Sequence, residues 1–164
     1  KTPLFLIGRQ DEISDLSREF SRGKDQTQLQ FDNLKIKPLV CSDIISPNLA
    51  RSDNSNLLVA LNNLGLFRGN KVIELQLVSM LRMRAIENAK YAVMASNYGH
   101  SYIISNQGNI LNRSLQRGYE ILTAEVEINN ENTWYNKVGD WPILLFCFLI
   151  TIILNRKHAD KHKN

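Results

Sequence analysis

Apolar residues fall in short runs along this chain, and the spacing within each run predicts a different element. Leu4-Phe5-Leu6-Ile7, behind Pro3 and ended by Gly8, reads as a strand or extended segment. Residues 11–20 suit a short helix, and Ser21-Arg22-Gly23-Lys24 a turn. Lys35-Ile36-Lys37 alternates as a strand does and runs through Pro38 into Leu39-Val40. Pro38 favours the edge or start of that strand. Ser46-Pro47-Asn48 begins a helix or turn. Asn56 to Leu61 is a continuous apolar run, as in a sheet covered on both faces, and Asn62-Asn63 with Gly65 close it.

Val72 to Lys90 holds no Gly or Pro and is rich in Leu, Met, Ala, Arg and Glu. That predicts the longest helix, with Ile73, Leu77, Met80 and Arg84 on one stripe. Tyr91 to Ser96 is a further strand, ending at Asn97-Tyr98-Gly99. Ser105-Asn106-Gln107-Gly108 stands between two apolar runs and predicts a hairpin. Ile121 to Ile128 alternates cleanly and predicts a strand with one wet face carrying Glu125 and Glu127. Strands and helices interleave, so the class is α/β or layered α+β.

The tail breaks the pattern. Trp141 to Leu154 carries no charge, and a basic cluster follows it. Fourteen residues as a helix reach about 21 Å, short of a hydrocarbon core of about 30 Å. The flanks favour insertion: Trp141 suits an interfacial belt, and Arg156 to Lys163 suits a cytoplasmic stop. The expected organisation is a globular part over 1–138, a transmembrane helix over 139–155 and a basic cytoplasmic tail over 156–164, with snorkelling and local thinning absorbing the mismatch.

Composition changes the picture little. The 164 residues allow one domain with a real core. The net charge of +4 is a property of the tail: Arg156, Lys157, Lys161 and Lys163 stand there against Asp160, leaving sixteen bases and fifteen acids before it. No basic face for nucleic acid is indicated. The two cysteines, Cys41 and Cys147, do not make a disulfide framework. No signal peptide is visible, and the opening Lys1 fits a processed chain or a piece of a longer one.

Candidate chemistry centres on Cys41. A strand fixes the backbone and stops at the cysteine, and the small polar residues Ser42-Asp43 follow. Such a turn leaves a sulfur free with a backbone N–H beside it, as a nucleophile requires. The bland alternative is a small buried residue at a strand end. His158 and His162 are four apart but lie among lysines, and read as a solvated tail rather than a metal site. Arg82 and Arg84 read as structural, pairing with Glu87 or a strand end. His100, beside a glycine turn, supports no role.

Four pieces in order carry a resemblance: Val40-Cys41-Ser42-Asp43-Ile44, Arg82-Met83-Arg84-Ala85-Ile86-Glu87, Ser96-Asn97-Tyr98-Gly99 with Asn106-Gln107-Gly108, and Thr133-Trp134-Tyr135 through Gly139-Asp140-Trp141-Pro142. Together they resemble the C-terminal part of the bacterial apolipoprotein N-acyltransferase family, membrane members of the nitrilase (carbon–nitrogen hydrolase) superfamily. The resemblance implies an α/β fold, part of a nitrilase-like αββα sandwich with a C-terminal transmembrane helix.

It also implies a Glu–Lys–Cys triad. Cys41 matches the nucleophile, and Lys1 falls at the lysine, heading a run that ends in Gly8. The glutamate would lie before Lys1. Lysine and the Ser42 N–H would stabilise the oxyanion, and Asp43 stands where the family has a glutamate. Arg9 replaces another family glutamate, Ser42-Asp43 a Tyr-Glu pair, and Asn62-Asn63 with Leu66-Phe67 a loop that normally holds Asn-Asp and Trp. The implied reaction moves an acyl chain from a phospholipid donor through a Cys41 thioester to the N-terminal amine of a diacylglyceryl-cysteine lipoprotein, with no cofactor. The implied location is the bacterial inner membrane, globular part periplasmic and C-terminus cytoplasmic. Two alternatives stay open: a catalytically silent membrane-anchored paralogue, and a soluble nitrilase-type amidase whose last helix packs on a partner subunit.

Overall fold

The computed structural model describes residues 28–51, 54–115 and 120–161. The strand, helix and turn expected before residue 25 lie outside them, as does Lys1. The described part is built on one six-stranded mixed sheet whose spatial order follows the chain. Strands β1 (Leu29–Phe31) and β2 (Leu34–Val40) form an antiparallel hairpin. Strands β3 (Leu57–Asn63) and β4 (Tyr91–Asn97) continue parallel to β2. Strands β5 (Tyr102–Ile104) and β6 (Ile110–Arg113) close the sheet antiparallel, the second across the expected hairpin.

A parallel pair needs a crossover, and helix α2 (Lys71–Asn88) supplies the one between β3 and β4. It follows α1 (Pro47–Ala50), the four-residue helix between β2 and β3. The Asn70 side chain accepts the Val72 N–H at the start of α2. The helix ends at Ala89 in the left-handed region, φ 50°, where the Lys90 N–H returns to the Ala85 carbonyl. Its buried face is Leu77, Val78, Leu81, Arg84 and Ala85, with Ile73 and Met80 at the margin. This face packs on Leu39, Leu58, Ala60, Ala92, Met94 and Ile104 of the sheet. One helix layer on one sheet is half of the expected sandwich.

Two expectations change. Pro38 is not on an edge strand: it pairs with Val59 of β3, and β1 lies on the other side of β2. Proline is tolerated there because β1 reaches only as far as Ile36, so the far side of Pro38 faces no ladder partner among the described residues. The alternating run Ile121–Ile128 forms no strand. Neither parity of that run finds a surface to bury: Ile121, Val126 and Ile128 are all exposed. Its tie to the sheet is the Asn112 Nδ2 donating to the Thr123 carbonyl at 3.3 Å.

The chain then forms α3 (Trp134–Val138), turns at Gly139, and runs into α4 (Trp141–Lys161). Helix α4 carries exposed Ile143, Leu144, Leu145, Phe146, Phe148 and Leu149. No helix among the described residues is long and apolar enough to cross a membrane.

Candidate active site

The C-terminal ends of the parallel strands β2, β3 and β4 meet along one edge of the sheet, and Cys41 stands there. β2 ends at Val40, and Cys41 opens a 3₁₀ turn over Cys41–Ile45. Its backbone is left-handed, φ 50°. An L-residue in that region costs about 1–2 kcal/mol, so the surroundings must hold it. Asp43 does so from one side, accepting the Val40 N–H through Oδ2 at 2.9 Å while its carbonyl accepts from Ser46 N–H. Ile44 does so from the other, fully buried in the core. Cys41 is a free thiol at intermediate burial. The strand–cysteine–turn geometry expected from sequence is present, and a strained elbow is added to it.

The implied roles of Ser42 and Asp43 divide. Ser42 follows the thiol directly, so its N–H lies within the turn. The Asp43 carboxylate is committed to the elbow's own backbone. Beneath it Lys37 is buried on the inner face of β2; burial pushes its ammonium pKa down, and the charge of Asp43 partly opposes this.

Asn62 sits beside the elbow. Val40 pairs with Leu61, so Cys41 and Asn62 each stand one residue past the last matched pair of two adjacent strands. The sequence presents Asn62 as the close of a strand, yet the residue is buried.

A second polar group at this edge was missed as well. Glu74, in the first turn of α2, is 2% exposed. Its Oε1 accepts from the Tyr102 hydroxyl and from the His100 Nδ1–H, each at 2.7 Å. Burial opposes the carboxylate charge, yet the two hydrogen bonds and the His100 ring hold its pKa below the ordinary value. The Tyr102 hydroxyl is pushed up to about 12 by burial and by donating to Glu74. Gly99 allows this closeness: a Cβ there would lie 2.3 Å from Leu64 Cδ1 and 3.4 Å from Glu74 Oε2. The signal in the sequence was a glutamate at 74, three residues before Leu77 and four before Val78, on the stripe that α2 buries.

Of the two arginines, Arg84 makes the expected pair and Arg82 meets the hairpin turn instead of a strand end. Arg84 pairs with Glu87 at 2.9 Å, and Arg82 Nε donates to the Gly108 carbonyl at 2.6 Å. Glu125 and Glu127 are exposed on the irregular segment rather than on a strand.

The curated relatives resembling this chain include the apolipoprotein N-acyltransferase of Pseudomonas putida, 30% identical over 135 residues, and that of Pseudomonas syringae pv. tomato, 32% identical over 135 residues. Each alignment covers 80% of this chain but only 26% of the relative. The fold is also that of a carbon–nitrogen hydrolase from Helicobacter pylori G27, with a TM-score of 0.58 at 19% identity, over 66% of this chain and 45% of that one. Residues 2–136 match the family model for carbon–nitrogen hydrolases, and the chain belongs to that family.

Proposed function

We propose that this chain carries the acyl-accepting part of an apolipoprotein N-acyltransferase. The observation that supports the reading is Cys41 itself: a non-glycine residue held at φ 50° just past the end of β2, at the position that the resemblance of Val40-Cys41-Ser42-Asp43-Ile44 implies for a nucleophile. Strain of this kind persists where the surrounding structure enforces it.

In this reading a glutamate from sequence preceding Lys1 takes the Cys41 proton. The sulfur attacks the ester carbonyl of a phospholipid, the C–O bond breaks, and the leaving oxygen takes the proton. Lys1 and the Ser42 N–H steady the oxyanion. The amine of a diacylglyceryl-cysteine lipoprotein then attacks the thioester, the C–S bond breaks, and the sulfur regains its proton. No metal or organic cofactor takes part. Helix α4 seats in the inner membrane through its uncharged stretch, with Arg156 at the cytoplasmic headgroups and the globular part on the periplasmic side. Its short apolar length is met by local thinning.

The test is intact-mass spectrometry of the chain as its host encodes it, extracted in detergent and incubated with phosphatidylethanolamine vesicles. One acyl mass on the wild type and none on Cys41→Ala is the expected result. A wild type that stays unacylated sinks the reading. Membrane fractionation tests the anchor: a chain that remains soluble without detergent favours the amidase alternative. The silent-paralogue alternative draws on the commitment of the Asp43 carboxylate to Val40, and predicts that Cys41→Ala leaves the cellular phenotype unchanged.

A further inference from the structure

The inner face of the sheet is layered, and the layer level with the elbow is polar. Lys37, Leu58 and Ala92 stand in register; the next step is Leu39, Ala60 and Met94. One step further along the same alternation, Asn62 pairs with Ser96. Val40 pairs with Leu61, so the turn that Cys41 opens begins level with this polar layer. Adjacent strands lie about 4.8 Å apart, so Asn62 is the neighbour of the cysteine across the sheet edge.

Asn62 is 6% exposed, and among the described residues neither its Nδ2 nor its Oδ1 has a hydrogen-bond partner. The Ser96 Oγ beside it is also buried with no partner among the described residues. A bare buried amide costs about 1–3 kcal/mol, and folded proteins keep few of them. The core makes no demand for it here, since the same face of β3 is filled by Leu58 and Ala60. An amide kept bare beside a candidate nucleophile is a site waiting for a polar ligand.

Resting on the acyl-transfer reading, we infer that the Asn62 carboxamide binds the group exchanged at the acyl carbon. In the first half-reaction the group opposite the sulfur is an ester oxygen, which leaves as the C–O bond breaks and needs a donor. In the second it is an amine, which forms the new C–N bond as C–S breaks and needs an acceptor for its N–H. The two groups occupy the same place in turn. A carboxamide serves both without changing its protonation: Nδ2 donates to the leaving oxygen, and Oδ1 accepts from the attacking amine. A carboxylate would serve only the amine, and an apolar side chain neither.

The experiment compares wild type, Asn62→Leu and Asn62→Asp, each in the host-encoded full chain. It follows Cys41 acylation from phosphatidylethanolamine vesicles by mass spectrometry, then discharge of the thioester to a diacylglyceryl-cysteine peptide, with thermal unfolding alongside. Asn62→Leu removes a bare amide, so its Tm stays level or rises, while both half-reactions slow about 10- to 100-fold. Asn62→Asp keeps the acceptor and loses the donor, so acylation slows by a similar factor and discharge stays close to wild type. Wild-type acylation rates in both variants overturn the inference, as does an equal loss of both half-reactions in Asn62→Asp. A large drop in Tm for Asn62→Leu also overturns it, because the amide would then be structural. A wild type that forms no thioester removes the acyl-transfer reading itself, a result distinct from all of these.

Discussion

Arg51 and Gly139 touch across 88 positions of sequence: a Cβ at residue 139 would lie 2.6 Å from Arg51 Nη1. The Arg51 guanidinium donates through Nε and Nη2 to the Asn136 carbonyl, and through Nη2 to that of Lys137. These are carbonyls at the C-terminal end of α3, where a cation is favoured. Arg51 follows α1, the helix just after the Cys41 turn. One side chain therefore fastens the elbow side of the domain to the root of α4.

Gly139→Ala is the sharpest test of that fastening. Gly139 has φ 60° and ψ −141°, a region open to little but glycine. The variant is expected to lose about 1–3 kcal/mol, or about 2–4 °C of Tm per kcal/mol for a chain of this size. Arg51→Met removes the crowding atom but leaves the strained backbone. The two changes share a contact, so a double-mutant cycle should depart from additivity. Additive values would mean that only the backbone of Gly139 matters.

The elbow makes its own prediction. At φ 50° glycine is at ease and alanine is not. Cys41→Gly is therefore expected to be more stable than Cys41→Ala by about 1 kcal/mol, both lacking the thiol. Urea unfolding midpoints measure the difference. Equal midpoints would show that the left-handed backbone carries no strain.

The sequence made the regular elements legible because burial and period agree in them. β3 and β4 are apolar on a covered face, and α2 has good helix formers and a long apolar stripe. Ile121–Ile128 misled because alternation signals a strand only where one parity meets a core, and here neither does. Cys41 was found from its place at a strand end, but nothing in a cysteine announces a left-handed φ; that follows from Asp43 folding back to Val40 and Ile44 being drawn into the core. Glu74 and Asn62 were passed over for a related reason. A polar residue on an apolar stripe is visible, but its partners, or lack of them, come from distant loops and neighbouring strands.

Lys90 offers a test of how the irregular segment is held. Its buried Nζ donates to the carbonyls of Asn129 and Glu131. Asn129 returns a bond from Nδ2 to the Ala89 carbonyl, and Thr133 Oγ1 donates to that of Glu87. The end of α2 thus grips residues 129–133 just before α3. Lys90→Met keeps the volume and strands both carbonyls, at a cost of about 1.5–3 kcal/mol. Hydrogen exchange should rise locally over 129–138 while the core of α2 stays protected. Uniformly faster exchange across α2 and the sheet would show that Lys90 supports the core itself.

Acid stability should report on Glu74. Its pKa in the folded chain lies below the ordinary 4.5, because the Tyr102 hydroxyl and the His100 ring outweigh the opposing effect of burial. A depressed acid contributes stability that is complete above its unfolded value and is lost as pH falls through the folded one. The wild type is therefore expected to lose this contribution from about pH 4.5 downward. Tyr102→Phe removes one donor to a buried carboxylate, at a cost of about 1–3 kcal/mol near neutrality. With less depression left to lose, its acid slope is shallower. Glu74→Gln cannot ionise and should flatten the slope further while keeping an acceptor for Tyr102. Urea midpoints taken from pH 7 to pH 3 separate the three chains; a Glu74→Gln slope as steep as the wild type would place the acid sensitivity on other carboxylates.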